Sequence, residues 1–205
     1  IVKMVGNIGA KQALEWLFAK PEDKSNLDIL KENGFNPGDI VKMVGNGGAK
    51  QALDWLFAKP EDKSNLDILT ENGFNPGDIV KMVGNNGAKQ ALAWLFTKPE
   101  DKSNLDILTE NGFSTGDIVK MVGNDGAKQA LEWLFTKQED KSNLDILTEN
   151  GFSTKNIVKM VGNKGAKQAL DWLFTKPEDK SNLDILKENG FSTGDIVKMV
   201  GNDGA

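Results

Sequence analysis

The chain has 205 residues, with 25 lysines and arginines against 30 aspartates and glutamates, a net charge of −5 and 39% hydrophobic residues. It contains no cysteine and no histidine, which excludes disulfides, Cys/His zinc sites, thiol nucleophiles and histidine-based catalysis. Its apolar tracts are far shorter than the ~18 residues of a membrane span, and nothing resembles a targeting peptide. The acidic balance disfavours nucleic-acid binding unless the lysines are concentrated on one surface.

A ten-residue tract of the form GNxGAKQALx recurs every 39 residues. This period is typical of repeat architectures. We divide the chain into a partial repeat (1–35), four full repeats (36–74, 75–113, 114–152 and 153–191) and a partial repeat (192–205). Ile1 corresponds to Ile40 and Ala205 to Ala49, so the chain begins and ends inside a unit, and we expect it to be a fragment of a longer array.

The first helix of the unit is predicted to begin after Asn36, which forms a capping box with Asp39. Its apolar stripe follows the i, i+3, i+4 spacing of a helix and consists of Ile40, Met43 and Val44. We expect the helix to end at Gly45 and Asn46, because both residues tolerate the left-handed conformation. One copy is weaker: Lys155 and Asn156 replace the capping pattern of the first turn, at an expected cost of about 0.5–1 kcal/mol.

The second half of the unit is predicted to hold two further helices. One runs from Ala49 to about Lys59, where Pro60 ends or kinks it. A second capping box at 64–67 opens the other, which ends at 72–73 in an Asn-Gly pair. Two helices with one kink is the alternative interpretation of this half.

Five tryptophans and ten phenylalanines follow the same period as the tract. A single unit cannot bury Trp55, Phe57 and Phe74 alone, whereas stacked neighbours can share one continuous core. We therefore interpret the aromatic residues as core and predict an all-α fold, an α-solenoid of 39-residue repeats with two to three helices in each repeat.

The segments that most resemble motifs for metal binding, nucleotide binding or catalysis lack residues that those motifs require. The segment 45–50 is glycine-rich but follows a helix and lacks the Gly-Lys-Ser/Thr ending of a P-loop. The segment 62–65 lacks the alternating oxygen ligands of a calcium loop. Glu61 and Asp62 recur as a carboxylate pair, which we interpret as part of a solvated turn. We predict no enzyme activity, no catalytic residue, no metal, no cofactor, no small-molecule substrate and no membrane partner.

The third residue of the tract varies far more than the rest of the unit, which is typical of an outward-facing readout position. Its six occupants are Ile8, Gly47, Asn86, Asp125, Lys164 and Asp203. Shortly after it, at the start of the second helix, a lysine and a glutamine recur, where free backbone N–H groups and the positive helix end favour an anion such as phosphate. These predicted phosphate-binding pairs are Lys11-Gln12, Lys50-Gln51, Lys89-Gln90, Lys128-Gln129 and Lys167-Gln168.

The tract IVKMVGN-x-GAKQAL resembles the repeat of transcription activator-like effectors (TALEs) and their TALE-like relatives, over about twenty residues of every unit. That resemblance implies helical hairpins that wind around double-stranded DNA as a right-handed superhelix. It also implies that a variable pair in each loop reads one base in the major groove. The pairs here all belong to the family's vocabulary: Asn7-Ile8, Asn46-Gly47, Asn85-Asn86, Asn124-Asp125, Asn163-Lys164 and Asn202-Asp203.

By this resemblance, the asparagine of each pair braces its loop and the second residue faces the base. The hydrogen-bonding groups on the base edges support the same assignment. Asp125 can accept from the cytosine amino group, and Lys164 can donate to guanine. Asn86 can bond a purine N7, and Gly47 leaves room for the thymine methyl. Adenine opposite Ile8 rests on the resemblance. The predicted site is 5′-A-T-(G/A)-C-G-C-3′, bound by a monomer.

The unit departs from the family pattern in its greater length, with the extra residues at 58–65, in Ala49 and its copies, and in Trp55 and its copies. These differences affect the superhelical pitch, which decides whether successive loops stay in register with successive bases. The sequence allows two alternative functions: a protein- or peptide-binding α-solenoid with variable loops, and a single-stranded RNA reader. The resemblance allows a bacterial cytoplasm or, for a translocated effector, a host nucleus.

Overall fold

The protein is described by a computed structural model over residues 10–21, 23–45, 49–60, 62–84, 88–99, 101–123, 127–138, 140–162 and 166–200. These residues are mostly helical, and consecutive helices pack against one another. The prediction of a helical, repeat-like architecture is thus confirmed for the described part of the chain. The contacts divide the chain into two compact units, Ile1–Ala93 and Trp94–Ala205.

Three kinds of helix alternate along the described residues. The first helices are α3 (Pro37–Val44), α6 (Pro76–Val83), α9 (Thr115–Val122), α12 (Thr154–Val161) and α15 (Thr193–Val200). The second helices are α1 (Ala10–Phe18), α4 (Ala49–Phe57), α7 (Ala88–Leu95), α10 (Ala127–Phe135) and α13 (Ala166–Phe174). The third helices are α2 (Asn26–Glu32), α5 (Asn65–Glu71), α8 (Asn104–Glu110), α11 (Asn143–Glu149) and α14 (Asn182–Glu188).

The alternative of two helices joined by a kink is wrong, because the described residues between α4 and α5 are not helical. The second helix ends at Phe57, slightly before the expected Lys59. Lys59 precedes Pro60, and the residue before a proline is biased away from helical conformation. Helix α10 ends at the equivalent Phe135 although Gln138 replaces the proline there, so the second helix ends at this point with or without the proline.

Side-chain caps begin the first and third helices, as the sequence predicts. In α3 the Asn36 Oδ1 accepts the Asp39 N–H at 3.0 Å, and the Asp39 carboxylate accepts the Asn36 N–H at 3.3 Å. In α12, Ser153 still accepts the N–H of Asn156 at 3.3 Å. The reciprocal carboxylate is missing there, since residue 156 is an asparagine. Half of the capping box is thus lost in that copy.

The third helix ends in a Schellman motif at Gly73, which has a φ of 82°. The Phe74 N–H donates to the Leu69 carbonyl at 3.1 Å, and the Gly73 N–H donates to the Thr70 carbonyl at 3.0 Å. A left-handed residue is required at this point, so the predicted Asn-Gly stop is confirmed. The aromatic residue that follows is thereby directed into the core, where Phe74 is buried.

The predicted left-handed end of the first helix is wrong at Gly45, which is right-handed with a φ of −80°. Glycine is required there for a different reason. A Cβ at this position would lie 2.9 Å from the Val41 carbonyl oxygen. Asn46, the other residue of the expected stop, lies outside the described residues.

The core is aliphatic at its centre and aromatic where second helices meet. Leu53, Leu56 and Leu69 are fully buried. Within the first unit the rings of Trp16 and Phe57 meet edge to face, with centroids 4.8 Å apart and an interplanar angle of 88°. The same contact recurs in the second unit, and it joins the second helix of one repeat to that of the next.

The core interpretation is wrong for some aromatic residues near the ends of the described array. Phe18 is 64% exposed, Trp172 is 54% exposed and Phe191 is 42% exposed. Their equivalents inside the array are covered by a neighbouring repeat, as Trp133 and Phe152 are. These side chains therefore present the same apolar surface that the interior repeats bury.

An asparagine at the start of each third helix closes the loop that precedes it. Asn65 is 4% exposed; its Nδ2 donates to the Trp55 carbonyl at 2.7 Å, and its N–H donates to the Ala58 carbonyl at 3.0 Å. The side-chain bond recurs in all five copies, from Asn26, Asn65, Asn104, Asn143 and Asn182. The extra residues of this repeat are thus held in a closed loop.

One repeat contains a short β-ladder, which departs from the all-α prediction. Strand β1 (Lys137–Gln138) pairs antiparallel with β2 (Lys141–Ser142). Gln138 stands where the other copies have Pro21, Pro60, Pro99 and Pro177. Because proline lacks the N–H that a ladder needs, its replacement allows the pairing.

Gln138 also satisfies an acceptor that stays unpaired in other copies. Its Nε2 donates to Asn143 Oδ1 at 3.0 Å. In two of the four proline-containing copies, Asn26 Oδ1 and Asn65 Oδ1 are buried without a hydrogen-bond partner. A buried acceptor without a partner is costly, so the glutamine stabilises this loop.

We expect Gln138→Met to lower the free energy of unfolding by about 1 kcal/mol, because Asn143 Oδ1 loses its donor at nearly constant side-chain volume. Urea unfolding followed by circular dichroism measures the change. Gln129→Met is the matched control, since Gln129 is exposed on α10 and its replacement should have no effect. Equal midpoints for the two variants would contradict the role given to Gln138.

The Ser25 hydroxyl donates to the Asp28 carboxylate at 2.6 Å and holds the pKa of that carboxyl below its ordinary value. This contribution to stability is present above the ordinary aspartate pKa and is lost as the pH falls through the lowered folded-state pKa. Ser25→Ala should raise the pKa of Asp28, measured by NMR titration of its carboxyl carbon. Ser192→Ala, the control, should raise the pKa of Asp195 and leave Asp28 unchanged; an unmoved Asp28 in Ser25→Ala would refute the assignment.

Candidate nucleic-acid interface

The loop between the first and second helices carries the residues that the sequence assigns to base reading. All of these lie outside the described residues: Ile8, Gly47, Asn86, Asp125, Lys164 and Asp203. The same holds for the predicted loop-bracing residues Asn7, Asn46, Asn85, Asn124, Asn163 and Asn202. The structure describes both flanks of the four loops that contain Gly47, Asn86, Asp125 and Lys164, the following flank of the Ile8 loop and the preceding flank of the Asp203 loop. The site is built from these flanks.

On one flank, each second helix begins at the alanine of an Ala-Lys-Gln triplet. The predicted phosphate-binding lysine and glutamine are thus the second and third helical residues. The N–H groups of a first helical turn have no partner within the helix, and the helix dipole makes this end positive. The Lys50, Gln51, Lys167 and Gln168 side chains are exposed. This flank can therefore meet an anion from solvent.

On the other flank, every first helix carries a lysine in its last turn, three residues before the glycine at which the helix ends. These residues are Lys42, Lys81, Lys120, Lys159 and Lys198, and all five are exposed. Their constant spacing from the loop is visible in the sequence, but no role was predicted for these five lysines. Each variable loop between two described helices thus has a lysine before it and another after it.

The lysines of the second helices are paired with acids four residues further on. Lys50 Nζ lies 2.7 Å from Asp54 Oδ2, and Lys167 Nζ lies 2.6 Å from Asp171 Oδ2. The same pairing holds for Lys128 with Glu132 at 2.8 Å and, more loosely, for Lys11 with Glu15 at 3.8 Å. These side chains remain substantially exposed, so each pair is worth little and can be exchanged for another anion.

The copy that contains Lys89 has Ala93 where the others have an acid. Sequence reasoning could have found this difference from the i, i+4 spacing alone. Four of the five copies therefore carry a carboxylate that competes for the lysine, and one does not. The copies differ in electrostatics although their Lys-Gln pairs are identical.

A second set of lysines is held by the third helices. Lys63 Nζ, for example, lies 2.6 Å from Glu71 Oε1. The equivalent pairs are Lys24–Glu32, Lys102–Glu110, Lys141–Glu149 and Lys180–Glu188. Each links the loop after a second helix to the end of a third helix, away in sequence from the variable loop. These lysines are thus occupied outside the candidate interface.

The described residues contain no group of acids suited to a metal ion. None of the helices in this part of the chain is both long and apolar enough to cross a membrane. Comparison with known proteins finds no family model that matches the chain and no curated protein that is significantly similar to it. The assignment to DNA-binding repeats therefore stands as a proposal from residues and chemistry.

We expect the triple variant Asp54→Ala, Glu132→Ala, Asp171→Ala to bind duplex DNA of arbitrary sequence about tenfold more tightly at low salt. The three lysines lose their intramolecular partners, and each exposed pair is worth up to ~0.5 kcal/mol. Fluorescence anisotropy with a labelled duplex measures the affinity.

The matched control is Glu71→Ala, Glu149→Ala, Glu188→Ala, which changes the net charge by the same amount but frees lysines beside the third helices. We expect a smaller gain for this control. Equal gains in the two triple variants would mean that net charge alone governs binding, and that the second-helix lysines have no special place in it.

Proposed function

We propose that the chain binds double-stranded DNA in the major groove and reads one base with each variable loop. The observation that carries this proposal is the constant placement of a Lys-Gln pair in the first turn of five described helices, just after the one strongly variable position of the repeat. Constant cationic groups suit the phosphates, which are the same at every step of DNA. A variable residue suits the bases, which are not.

The chemistry of the variable residues supports base reading. An acid at 125 and 203 can accept from the cytosine N4 amino group, and a lysine at 164 can donate to guanine O6 and N7. Gly47 accommodates the thymine methyl, and Asn86 suits a purine. With adenine opposite Ile8, taken from the resemblance to TALE repeats, the proposed site is 5′-A-T-(G/A)-C-G-C-3′.

The proposed architecture is a right-handed α-solenoid that follows the groove as a monomer. Support comes from the repeated contacts of second helices within each unit, α1 with α4 and α10 with α13. Such stacking gives successive loops equivalent positions on successive repeats. The proposal involves no catalytic step and no cofactor.

We expect most of the affinity for DNA to be electrostatic and therefore to fall as the salt concentration rises. The chain is acidic overall, and most second-helix lysines must leave a carboxylate to meet a phosphate. Six variable loops make few base contacts, so phosphate contacts supply most of the affinity.

The test is a titration of the chain at low salt against duplexes that carry ATGCGC and its single-base variants. We expect cytosine to be preferred at the fourth position, because Asp125 accepts from its amino group. In Asp125→Gly we expect thymine to replace cytosine there, since glycine leaves room for the methyl. Asp140→Gly is the matched control: it removes the same charge from an exposed turn and should leave the preference unchanged.

Three results would count against the proposal. If all duplexes bind equally, or none binds, the loops do not read bases and a protein-binding solenoid becomes the better hypothesis. If single-stranded RNA of the same sequence binds more tightly than the duplex, the chain is an RNA reader instead. If Asp125→Gly and Asp140→Gly change the fourth-base preference alike, the effect belongs to charge and not to the loop.

A further inference from the structure

A lysine of one third helix forms a hydrogen bond with the repeat before it. Lys187 lies on α14, in the repeat 153–191, and its Nζ donates to the Asn150 carbonyl at 2.6 Å. Asn150 is the residue that follows α11, in the repeat 114–152. Both repeats belong to the second compact unit. The bond therefore joins the third helix of one repeat to the end of the preceding third helix.

The Asn150 carbonyl is a favourable acceptor for a cation. The last carbonyls of a helix have no partner within the helix, and the helix dipole makes this end negative. The N–H and the side-chain amide of Asn150 both donate to carbonyls of the last turn of α11. Its own carbonyl accepts from Lys187, which is partly buried. Lys187 thus acts as a C-terminal cap that the next repeat supplies.

The position of Lys187 is taken by two residue types along the chain. Its occupants are Lys31, Thr70, Thr109, Thr148 and Lys187. A threonine here bonds its own helix: Thr148 Oγ1 donates to the Leu144 carbonyl at 2.9 Å, and Thr70 and Thr109 make the equivalent bond. The threonine side chain is also much shorter than that of lysine. At Lys187, a bond within one helix is therefore replaced by a bond between two repeats.

This bond adds a third attachment between the two repeats. Their first helices pack together as α9 with α12, and their second helices pack as α10 with α13. Apolar burial is itself non-directional, whereas a hydrogen bond from a charged donor requires a defined geometry and is stronger than a neutral one. Because the third helices are joined as well, the orientation of one repeat on the other is restricted.

We infer that Lys187 is a positioning residue for base reading. It holds the repeat that carries Lys164 in a fixed orientation on the repeat that carries Asp125, so that neighbouring loops stay in register with neighbouring bases. The inference rests on the proposed function, since it concerns two of the proposed reading positions. Lys187 acts through the Asn150 carbonyl and not through contact with DNA.

The first test measures the cap without DNA, by amide hydrogen exchange in Lys187→Met, which removes the charged donor and keeps an unbranched side chain. The Gly151 and Phe152 amides form the capping bonds after α11, and both should exchange about fivefold faster. The Gly112 and Phe113 amides, at the equivalent turn after α8, should be unchanged. Lys187→Arg keeps a charged donor and should retain the wild-type protection.

A reciprocal variant tests whether a lysine at this position is sufficient. Thr148→Lys places the lysine on α11, where the corresponding acceptor is the Asn111 carbonyl after α8. We expect the Gly112 and Phe113 amides to exchange about fivefold more slowly in this variant. Unchanged exchange at these amides would contradict the capping role of the lysine.

The second test measures base preference at low salt, with duplexes that differ from ATGCGC at one base. In Lys187→Met the preference for guanine at the fifth position, assigned to Lys164, should fall at least about threefold. The preference for thymine at the second position, assigned to Gly47 in the first unit, should be unchanged. Lys187→Arg should restore the fifth-base preference. Lys31→Met is the matched control: it removes the same charge at the equivalent position of the first unit and should leave that preference unchanged.

The two tests separate failure of this inference from failure of the proposed function. If the wild type prefers guanine at the fifth position and Lys187→Met prefers it equally, the inference is overturned and base reading stands. The inference also fails if the Gly151 and Phe152 amides exchange at the wild-type rate in Lys187→Met, or if Lys31→Met lowers the fifth-base preference as much as Lys187→Met. A wild type without any base preference overturns both the inference and the proposed function.

Discussion

The packing of each second helix on the one before it is the contact on which the rest of the fold depends. A repeat of 39 residues is too small to enclose its own aromatic side chains, so its core is completed by its neighbour. Trp133 and Phe174 are 6% and 8% exposed, and their rings meet edge to face. The edge-to-face geometry adds direction to this burial, since the ring edge is attracted to the face that it meets. Each second helix is thereby fixed in orientation, and with it the start of the helix at which the Lys-Gln pair lies.

The long loop after each second helix is compatible with this packing because it is closed on itself. Asn65 bonds the carbonyls of both Trp55 and Ala58, so the chain leaves the second helix and returns beside it to begin the third. The inserted residues consequently do not separate α4 from α5, which remain in contact. A buried asparagine is a costly residue unless its polar atoms are paired. The side-chain and backbone donors of Asn65 are paired with Trp55 and Ala58, while its Oδ1 is buried without a partner, so the closure of the loop by these two donors accounts for the same residue in every copy.

Features set by neighbouring residues could be predicted from the sequence, and features set by distant ones could not. The capping by Ser64 and the stop at Gly73 depend on atoms within a few residues, and both were predicted correctly. The role of Asn65 depends on a carbonyl ten residues away, which only the folded loop brings close. Gly45 was predicted as a helix end for the wrong reason. A glycine is required there because a Cβ would lie too close to the Val41 carbonyl oxygen on the preceding turn. At the candidate site, the pairing of Lys50 with Asp54 was readable from its spacing and was overlooked, while the base-reading residues lie outside the described residues.

The electrostatics of the candidate interface favour phosphate binding that differs in strength from one repeat to another. In the proposed function, a phosphate at the start of a second helix interacts with the N–H groups of the first helical turn and with the positive end of the helix dipole. The lysine adds to it only after leaving its carboxylate, and that exchange is nearly neutral in water because exposed ion pairs are weak. Copies with Asp54, Glu132 or Asp171 therefore gain less from a phosphate than the copy with Ala93, where no acid stands four residues after the lysine. Under the proposed function, an acidic chain would bind DNA without a strong positive field, and its discrimination between sequences would depend on the variable residues and not on the phosphate contacts.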